Sequence, residues 1–357
     1  MSLALKEVIR IGEQMLADAG VADAAIDAKE LYCYMEGLDR TGLMMAWQRI
    51  LQDNQCEAYF KLVEERASRV PLQHITGTQE FMGLPFAVNG DVLIPRQDTE
   101  TMVEDALELL KSGSLRGQEY AGGKAFRGSV EVLDLCCGSG AIGVSIAKLD
   151  KDAKVTCADV SAKALAVAKK NATANGCKGV KFVESDLFAA SDFHGRFGKG
   201  KYQLIISNPP YIRHDVIDTL EPEVRAHEPM LALDGGADGL EFYRRIIAEA
   251  PDHLKKNGVL MMEIGYDQKD AVKELLRESG RFEKIVGLHA QQGAGLGAGF
   301  VHRLAGGFLC TDHNRLPPLL LFILLVKLAQ RHGALILVAL GVQLTGILQP
   351  DAERYKD

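Results

Sequence analysis

Two short runs place glycines and a carboxylate where apolar segments end. The first is V-L-D-L-C-C-G-S-G-A-I-G, residues 132–143, in which the apolar run closes at Asp134-Leu135 and Gly138-Ser139-Gly140 lead into a helical pattern. Two glycines let a backbone approach a ligand closely, and a helix N-terminus presents N–H groups that have no partner inside the helix. The second is Ala158-Asp159, about 20 residues further on, where a carboxylate can accept hydrogen bonds from two ribose hydroxyls. Together they describe a nucleoside site. Gly138, Gly140 and Gly143 also satisfy the Gly-x-Gly-x-x-Gly spacing, so spacing alone leaves a dinucleotide open.

A third run, S-N-P-P-Y at residues 207–211, follows the apolar stretch Leu204-Ile205-Ile206. Pro209 and Pro210 remove two backbone donors and fix two φ angles, so the loop is stiff and rich in acceptor oxygens. A planar amide or aromatic amine is a poor nucleophile toward a methyl sulfonium because its nitrogen lone pair is delocalised. If the Asn208 carboxamide oxygen and the Pro209 carbonyl accept its two N–H groups, that lone pair is aimed at the methyl group. Tyr211 is then expected to pack on the planar group. Asn208, Pro209, Pro210 and Tyr211 are therefore the candidate catalytic residues.

Other polar groups carry less. Cys136-Cys137 are adjacent rather than C-x-x-C, and no second Cys or His pair stands at zinc spacing, so no metal site is expected; the two thiols should line the glycine turn. His214, His227 and His253 read as surface or loop residues. Glu221, Glu223 and Glu228 read either as a solvated acidic loop or as a face for a basic partner. Arg96, Asp98, Thr99 and Glu100 read as groups that orient a ligand or loop, with helix capping as the plainer role for Asp98 and Glu100.

The elements that must hold these groups follow from periodicity. Residues 1–70 carry apolar positions at helical spacing (Leu5, Val8, Ile9, Met15, Leu16; Tyr59, Leu62, Val63) and predict a small all-α bundle, with Gly20 and Gly37 ending helices and Asp53-Asn54 opening one. Residues 71–97 mix Gly, Pro and Phe and predict a hairpin-like connector. From 98 to 288 a helix at Asp98–Leu110 and a loop at 111–129 precede alternating elements. Strands are expected at Val130–Leu135, Lys154–Ala158, Val180–Glu184, Tyr202–Ser207 and Val259–Ile264. Helices are expected at Ala141–Leu149, at Ala162–Ala174 and near Gly239 to Ala250. That alternation predicts an α/β domain with a mostly parallel, doubly wound sheet whose ligands sit outside the strands' carboxyl ends.

Composition bounds the function classes. The 357 residues predict about two domains, and 41 basic against 48 acidic residues give a net charge of -7, which disfavours a dedicated nucleic-acid coat protein. Hydrophobic residues at 47% and charged residues at 25% exclude a wholly disordered chain. Seven cysteines, with no secretory pattern at the start, point to a reducing cytosol.

With these motifs in place, residues 5–285 resemble the protein-(glutamine-N5) methyltransferases that modify peptide chain release factors, the PrmC or HemK type. The resemblance rests on P-L-Q-H-I-T-G at 71–77, E-F-M-G-L-P-F at 80–86 and L-I-P-R-Q-D-T-E at 93–100. It rests also on D-L-C-C-G-S-G-A-I at 134–142, S-D-L-F at 185–188 and N-P-P-Y-I at 208–212. The connector string at 93–100 discriminates best, because N-P-P-Y also looks like adenine-N6 and other amino-methyltransferases.

The resemblance implies a Rossmann-like methyltransferase domain with S-adenosyl-L-methionine as donor. It implies that the turn of Asp134, Cys136, Cys137, Gly138, Ser139 and Gly140 lies beside the donor's methionine portion. Asp159 would lie on the ribose, Asp186 and Leu187 near the adenine, and Asn208 to Tyr211 around the glutamine of a Gly-Gly-Gln loop, with Asn208 touching the donor as well. The family often has Gly where Cys136 stands and an aromatic residue where Leu187 stands. Release factors are the expected partners, docked by the bundle, with no direct nucleic-acid partner, no membrane span and a monomeric, cytoplasmic chain.

Residues 289–357 depart from the family. A D-x-x-G-x-x-R-V-like string is missing, and the apolar runs 317–326 and 334–348 are each shorter than the ~20 residues of a spanning helix. This tail is expected to be a divergent or frame-altered ending that packs poorly or at the periphery. The competing readings are an adenine-N6 or other nucleic-acid amino-methyltransferase, and a catalytically silent module that binds release factors.

Overall fold

The helical spacing between Leu5 and Val63 closes into the expected bundle. A computed structural model of the chain describes residues 3–112, 115, 129–195, 198–289 and 306–312. Strand β1 (Leu3–Ala4) precedes α1 (Leu5–Asp18), α2 (Ala24–Glu36) and α3 (Arg40–Ala46). Strand β2 (Ile50–Leu51), antiparallel to β1, then leads into α4 (Asp53–Ala67). Leu5, Val8, Ile9, Leu16, Leu31, Tyr59 and Val63 form its core, and the Tyr59 hydroxyl donates to the Ala28 carbonyl at 3.0 Å. Gln52, rather than Asp53-Asn54, caps α4, through a reciprocal contact with Gln55.

The connector carries a short helix, α5 (Leu72–Thr76), and the hairpin of β3 (Thr78–Phe81) and β4 (Leu84–Ala87), followed by α6 (Gln97–Lys111). Loop 111–129 lies almost entirely outside the described residues. The α/β domain continues with β5 (Val130–Leu135), α7 (Ala141–Leu149), β6 (Ala153–Asp159), α8 (Ala162–Ala174), β7 (Lys181–Glu184) and β8 (Tyr202–Ser207). Three short helices follow, α9 (His214–Ile217), α10 (Pro222–His227) and α11 (Met230–Leu233). The chain then forms α12 (Glu241–His253), β9 (Leu254–Ile264), α13 (Lys269–Ser279), β10 (Phe282–His289) and β11 (Gly306–Asp312).

The sheet order is β10-β11-β9-β8-β5-β6-β7, with β9, β8, β5, β6 and β7 parallel and β11 antiparallel to both its neighbours. The chain steps from β5 outward to β7 and then returns to place β8 on the other side of β5. The topological switch point therefore lies between β5 and β8, where a doubly wound sheet opens a crevice. Ser207 bridges it, its hydroxyl donating to the Leu135 carbonyl at 2.7 Å. Strands buried on both faces, such as Leu204-Ile205-Ile206 and Val259 to Met262, read as continuous apolar runs for that reason.

Two expectations are corrected. Residues 306–312 of the supposed peripheral tail form β11, an interior strand between β9 and β10, because the open edge of β9 offers unpaired backbone groups that the tail satisfies. The runs 317–326 and 334–348 lie outside the described residues. His253 is buried rather than superficial: its ring stacks on Phe188 at 4.3 Å, and burial lowers its affinity for a proton. Among the described residues no helix is long and apolar enough to cross a membrane.

Candidate active site

A pocket of about 1000 Å³, counted with the solvent at its open mouth, lies outside the carboxyl ends of β5, β6, β7 and β8. Its lining brings together Cys136, Cys137, Gly138, Ser139, Asp159, Asp186, Leu187, Asn208 and Pro210 from four separate turns. Thr99 and Arg96, from the connector string, reach the same pocket. Asp134, Gly140, Pro209 and Tyr211 do not line it.

Asp134 is wholly buried beneath the glycine turn and accepts the Gly143 N–H at 2.8 Å. It thereby fixes the start of α7. Its Oδ1 has no hydrogen-bond partner, and burial pushes the carboxyl up to about 7. Gly143 must be glycine: a Cβ there would stand 2.5 Å from Cys157 Sγ and 2.9 Å from Asp134 Oδ2. The neighbouring Cys136 has φ +61, a left-handed conformation that glycine adopts freely and other residues adopt at a cost. Gly140 serves as the N-cap of α7.

Asp159 closes the other side of the turn. Its Oδ2 accepts the Gly138 N–H at 2.8 Å and its Oδ1 the Ser161 N–H at 2.9 Å. Burial raises this carboxyl from its ordinary range, and the backbone donors partly counter that. Two of about four acceptor positions on the carboxylate are thus used, leaving capacity for a diol. A Cβ added at Gly138 meets no atom within 4 Å, so the backbone there faces open space. Leu187 and Phe242 give the pocket apolar walls. These features fit an adenosyl donor: a diol acceptor, a bare backbone turn and an apolar slot for a base. Asp186 lines the slot but is tied by Arg245 at 2.7 Å.

On the opposite side, Thr99 Oγ1 donates to Glu263 Oε2 at 2.7 Å. Asn208 Nδ2 donates to the same hydroxyl at 3.5 Å, the outer limit of such a bond. The Tyr211 hydroxyl donates to Glu263 Oε1 at 3.4 Å, toward β9. Gln268 Nε2 donates to the Tyr211 carbonyl at 2.8 Å and holds the loop from behind. Glu263 is 3% exposed, and burial pushes its carboxyl up to about 7.

The acidic residues after the N-P-P-Y run have internal partners. Glu223 takes Arg69 at 2.6 Å and Arg66 at 3.0 Å, Glu221 takes Arg69 at 2.9 Å, and buried Glu228 takes Arg96 at 2.5 Å. Arg66 also meets Asp27 at 2.7 Å in the bundle. They form neither a solvated loop nor a free face for a partner: they clamp the bundle and connector onto the segment that follows Tyr211. Glu100 accepts the Met82 N–H at 2.5 Å and so anchors the hairpin turn.

Sequence reasoning missed Glu263 and Phe242. A lone carboxylate near the carboxyl end of V-L-M-M-E-I was the available sign for the first; Phe242 had none, lying on a helix read only for its apolar spacing.

The PrmC N-terminal domain family matches residues 7–77, and the methyltransferase small domain family matches residues 124–224. The chain is 40% identical to the release factor glutamine methyltransferase of Geobacter sulfurreducens over 276 residues, 77% of this chain and 89% of that one. It belongs to the release factor glutamine methyltransferase family. The Clostridium botulinum member is 36% identical over 77% of this chain and 92% of its own length. Among solved structures, the hMettl16 catalytic domain in complex with MAT2A 3'UTR hairpin 6 shares 15% identity at a TM-score of 0.49, covering 76% of this chain and 87% of that one. The family is one of S-adenosylmethionine-dependent methyltransferases, so the chain is an enzyme of that class with a Rossmann-like core.

Proposed function

We propose that the chain transfers a methyl group from S-adenosylmethionine to the side-chain amide nitrogen of glutamine in the Gly-Gly-Gln loop of peptide chain release factors. The observation that carries this reading is the Asn208 carboxamide at the switch point, its nitrogen directed at Thr99 and its oxygen left for a ligand.

The donor, when bound, supplies an electrophilic methyl carbon on a positively charged sulfur. The chain's own residues do the rest by position. Asp159 takes the ribose hydroxyls, and the Gly138 to Ser139 turn lies along the amino-acid portion. Leu187 and Phe242 enclose the base. Asn208 Oδ1 and the carbonyl of Pro209, which stands between the pocket-lining Asn208 and Pro210, accept the two N–H groups of the glutamine amide, and this turns its lone pair toward the methyl carbon. The acceptor oxygens also stabilise positive charge as it develops on that nitrogen. The methylated amide then loses a proton to water, so no general base is required. The bundle docks the protein substrate, with exposed Met44 and Met45 on α3 and Met230 and Leu231 beside the pocket offering apolar contact.

Labelled donor, incubated with the chain and with release factor, RNA or DNA in parallel, tests this reading. Label in the release factor is expected. Label in a nucleic acid alone supports the amino-methyltransferase alternative, and release-factor binding without label supports a silent module.

A further inference from the structure

The Asn208 amide can act as an acceptor only if its oxygen, not its nitrogen, faces the pocket, and no backbone group on the described residues decides that orientation. The decision lies in a chain of hydrogen bonds. Glu263 is buried at the carboxyl end of β9, with one carboxylate oxygen accepting from Thr99 and the other from Tyr211. A hydroxyl that donates its only proton to a carboxylate has lone pairs alone to offer its next neighbour. Thr99 Oγ1 can therefore take only the NH2 end of Asn208, which stands 3.5 Å away. The amide oxygen is left pointing elsewhere.

We propose that Glu263 is a positioning residue for the acceptor amide, fixing through Thr99 which end of the Asn208 carboxamide meets the substrate. This rests on the function proposed above and adds to it the residues that set the polarity of the grip. The pair comes from α6 and β9, and the 164 positions that separate them make the relay a product of the fold. Phenolic Tyr211 is held by the same carboxylate, so one buried group orders both ends of the N-P-P-Y turn. The relay needs Glu263 ionised. Arg96 favours that form and Asp98 opposes it, both from the start of α6; burial pushes the carboxyl up to about 7.

Thr99→Val keeps the shape and removes the hydroxyl, whereas Thr99→Ser keeps the hydroxyl. With release factor as acceptor, Thr99→Val and Glu263→Gln are expected to lower kcat by about ten- to a hundredfold, the scale of a small misplacement of a reacting group. Donor affinity, read by calorimetry with S-adenosylhomocysteine, should stay within about threefold of wild type, since the donor contacts lie on other turns. Thr99→Ser should restore most of the rate. The wild-type and Thr99→Ser rates should fall as pH drops through about 7, and the Thr99→Val rate should not. Full activity in Thr99→Val, or a loss that follows donor affinity or melting temperature instead, overturns the relay alone. A wild-type chain that binds donor but transfers nothing to release factor overturns the functional reading and the relay with it.

Discussion

The two halves of the pocket are built differently. The donor half consists of strand-to-helix turns whose partners are near in sequence: Gly138 meets Asp159, Gly143 meets Asp134, and Ser161 meets Asp159 two residues away. The acceptor half is a relay of side chains from distant segments, with 109 positions between Thr99 and Asn208 and 52 between Tyr211 and Glu263. Backbone donors in a turn are fixed once the strand and helix form. Side-chain donors and acceptors need a further device to fix their polarity, and a buried carboxylate supplies it. Donor binding should therefore tolerate damage to the acceptor half, while turnover should not.

Substitutions can pull the halves apart. Asn208→Ala removes the acceptor oxygen and should lower turnover by about a thousandfold, the scale seen when one positioned polar group is lost from an active site, while donor affinity changes little. Asp159→Asn acts on the other half. It should weaken donor binding by about ten- to a hundredfold, because one carboxylate oxygen that could accept from the diol becomes a donor; calorimetry with donor alone measures this.

Stability should respond where the bundle meets the loop after Tyr211. Asp27→Ala strips one partner from Arg66, whose side chain is 8% exposed, and should cost about 2 to 3 kcal/mol in denaturant unfolding, with Glu223 limiting the loss. A matching loss of turnover would tie the clamp to the acceptor half.

Asp134 predicts a pH effect of definite sign. Its carboxyl sits at about 7 when folded and near the ordinary 3.8 when unfolded, so between these values the folded state holds the extra proton. The stability that this group contributes is complete below about pH 4 and is lost as pH rises through about 7. The melting temperature of the donor-free chain should fall between about pH 4 and 7 more steeply than that of Asp134→Asn. The smallest effect concerns Cys136. Glycine accepts φ +61 without strain, so Cys136→Gly should raise stability in denaturant unfolding by at most about 1 kcal/mol.

The same difference between the halves decides what could be read beforehand. Elements such as Ala162–Ala174 and Tyr202–Ser207 coincide with their sequence readings because apolar period and turn residues agree there. Strand β9 begins at Leu254, before the expected Val259, because Asn257 with φ +64 and Gly258 look like a turn but sit within an irregular stretch of the strand. The contact between Asp159 and the glycine turn follows a spacing that the sequence displays. Thr99 was noticed as part of a string, yet its partner was not, because only the packing of α6 against β9 brings Glu263 to it. Motif alone sets Tyr211 and Asp134 beside the ligand and shows neither the bond of the Tyr211 hydroxyl to Glu263 nor the burial of Asp134 under the turn. The interior place of Gly306–Asp312 is hidden in the sequence because its short apolar run Phe308-Leu309-Cys310 follows a Gly-rich stretch and carries no pattern that names the edge it pairs with.

Peptide-level mass spectrometry of a release factor after incubation with the chain and S-adenosylmethionine bears most directly on the central claim. The account predicts one added methyl group on the glutamine of the Gly-Gly-Gln loop, and none with Asn208→Ala. An unmodified glutamine beside a donor-loaded wild-type chain, or equal modification by both proteins, would contradict it.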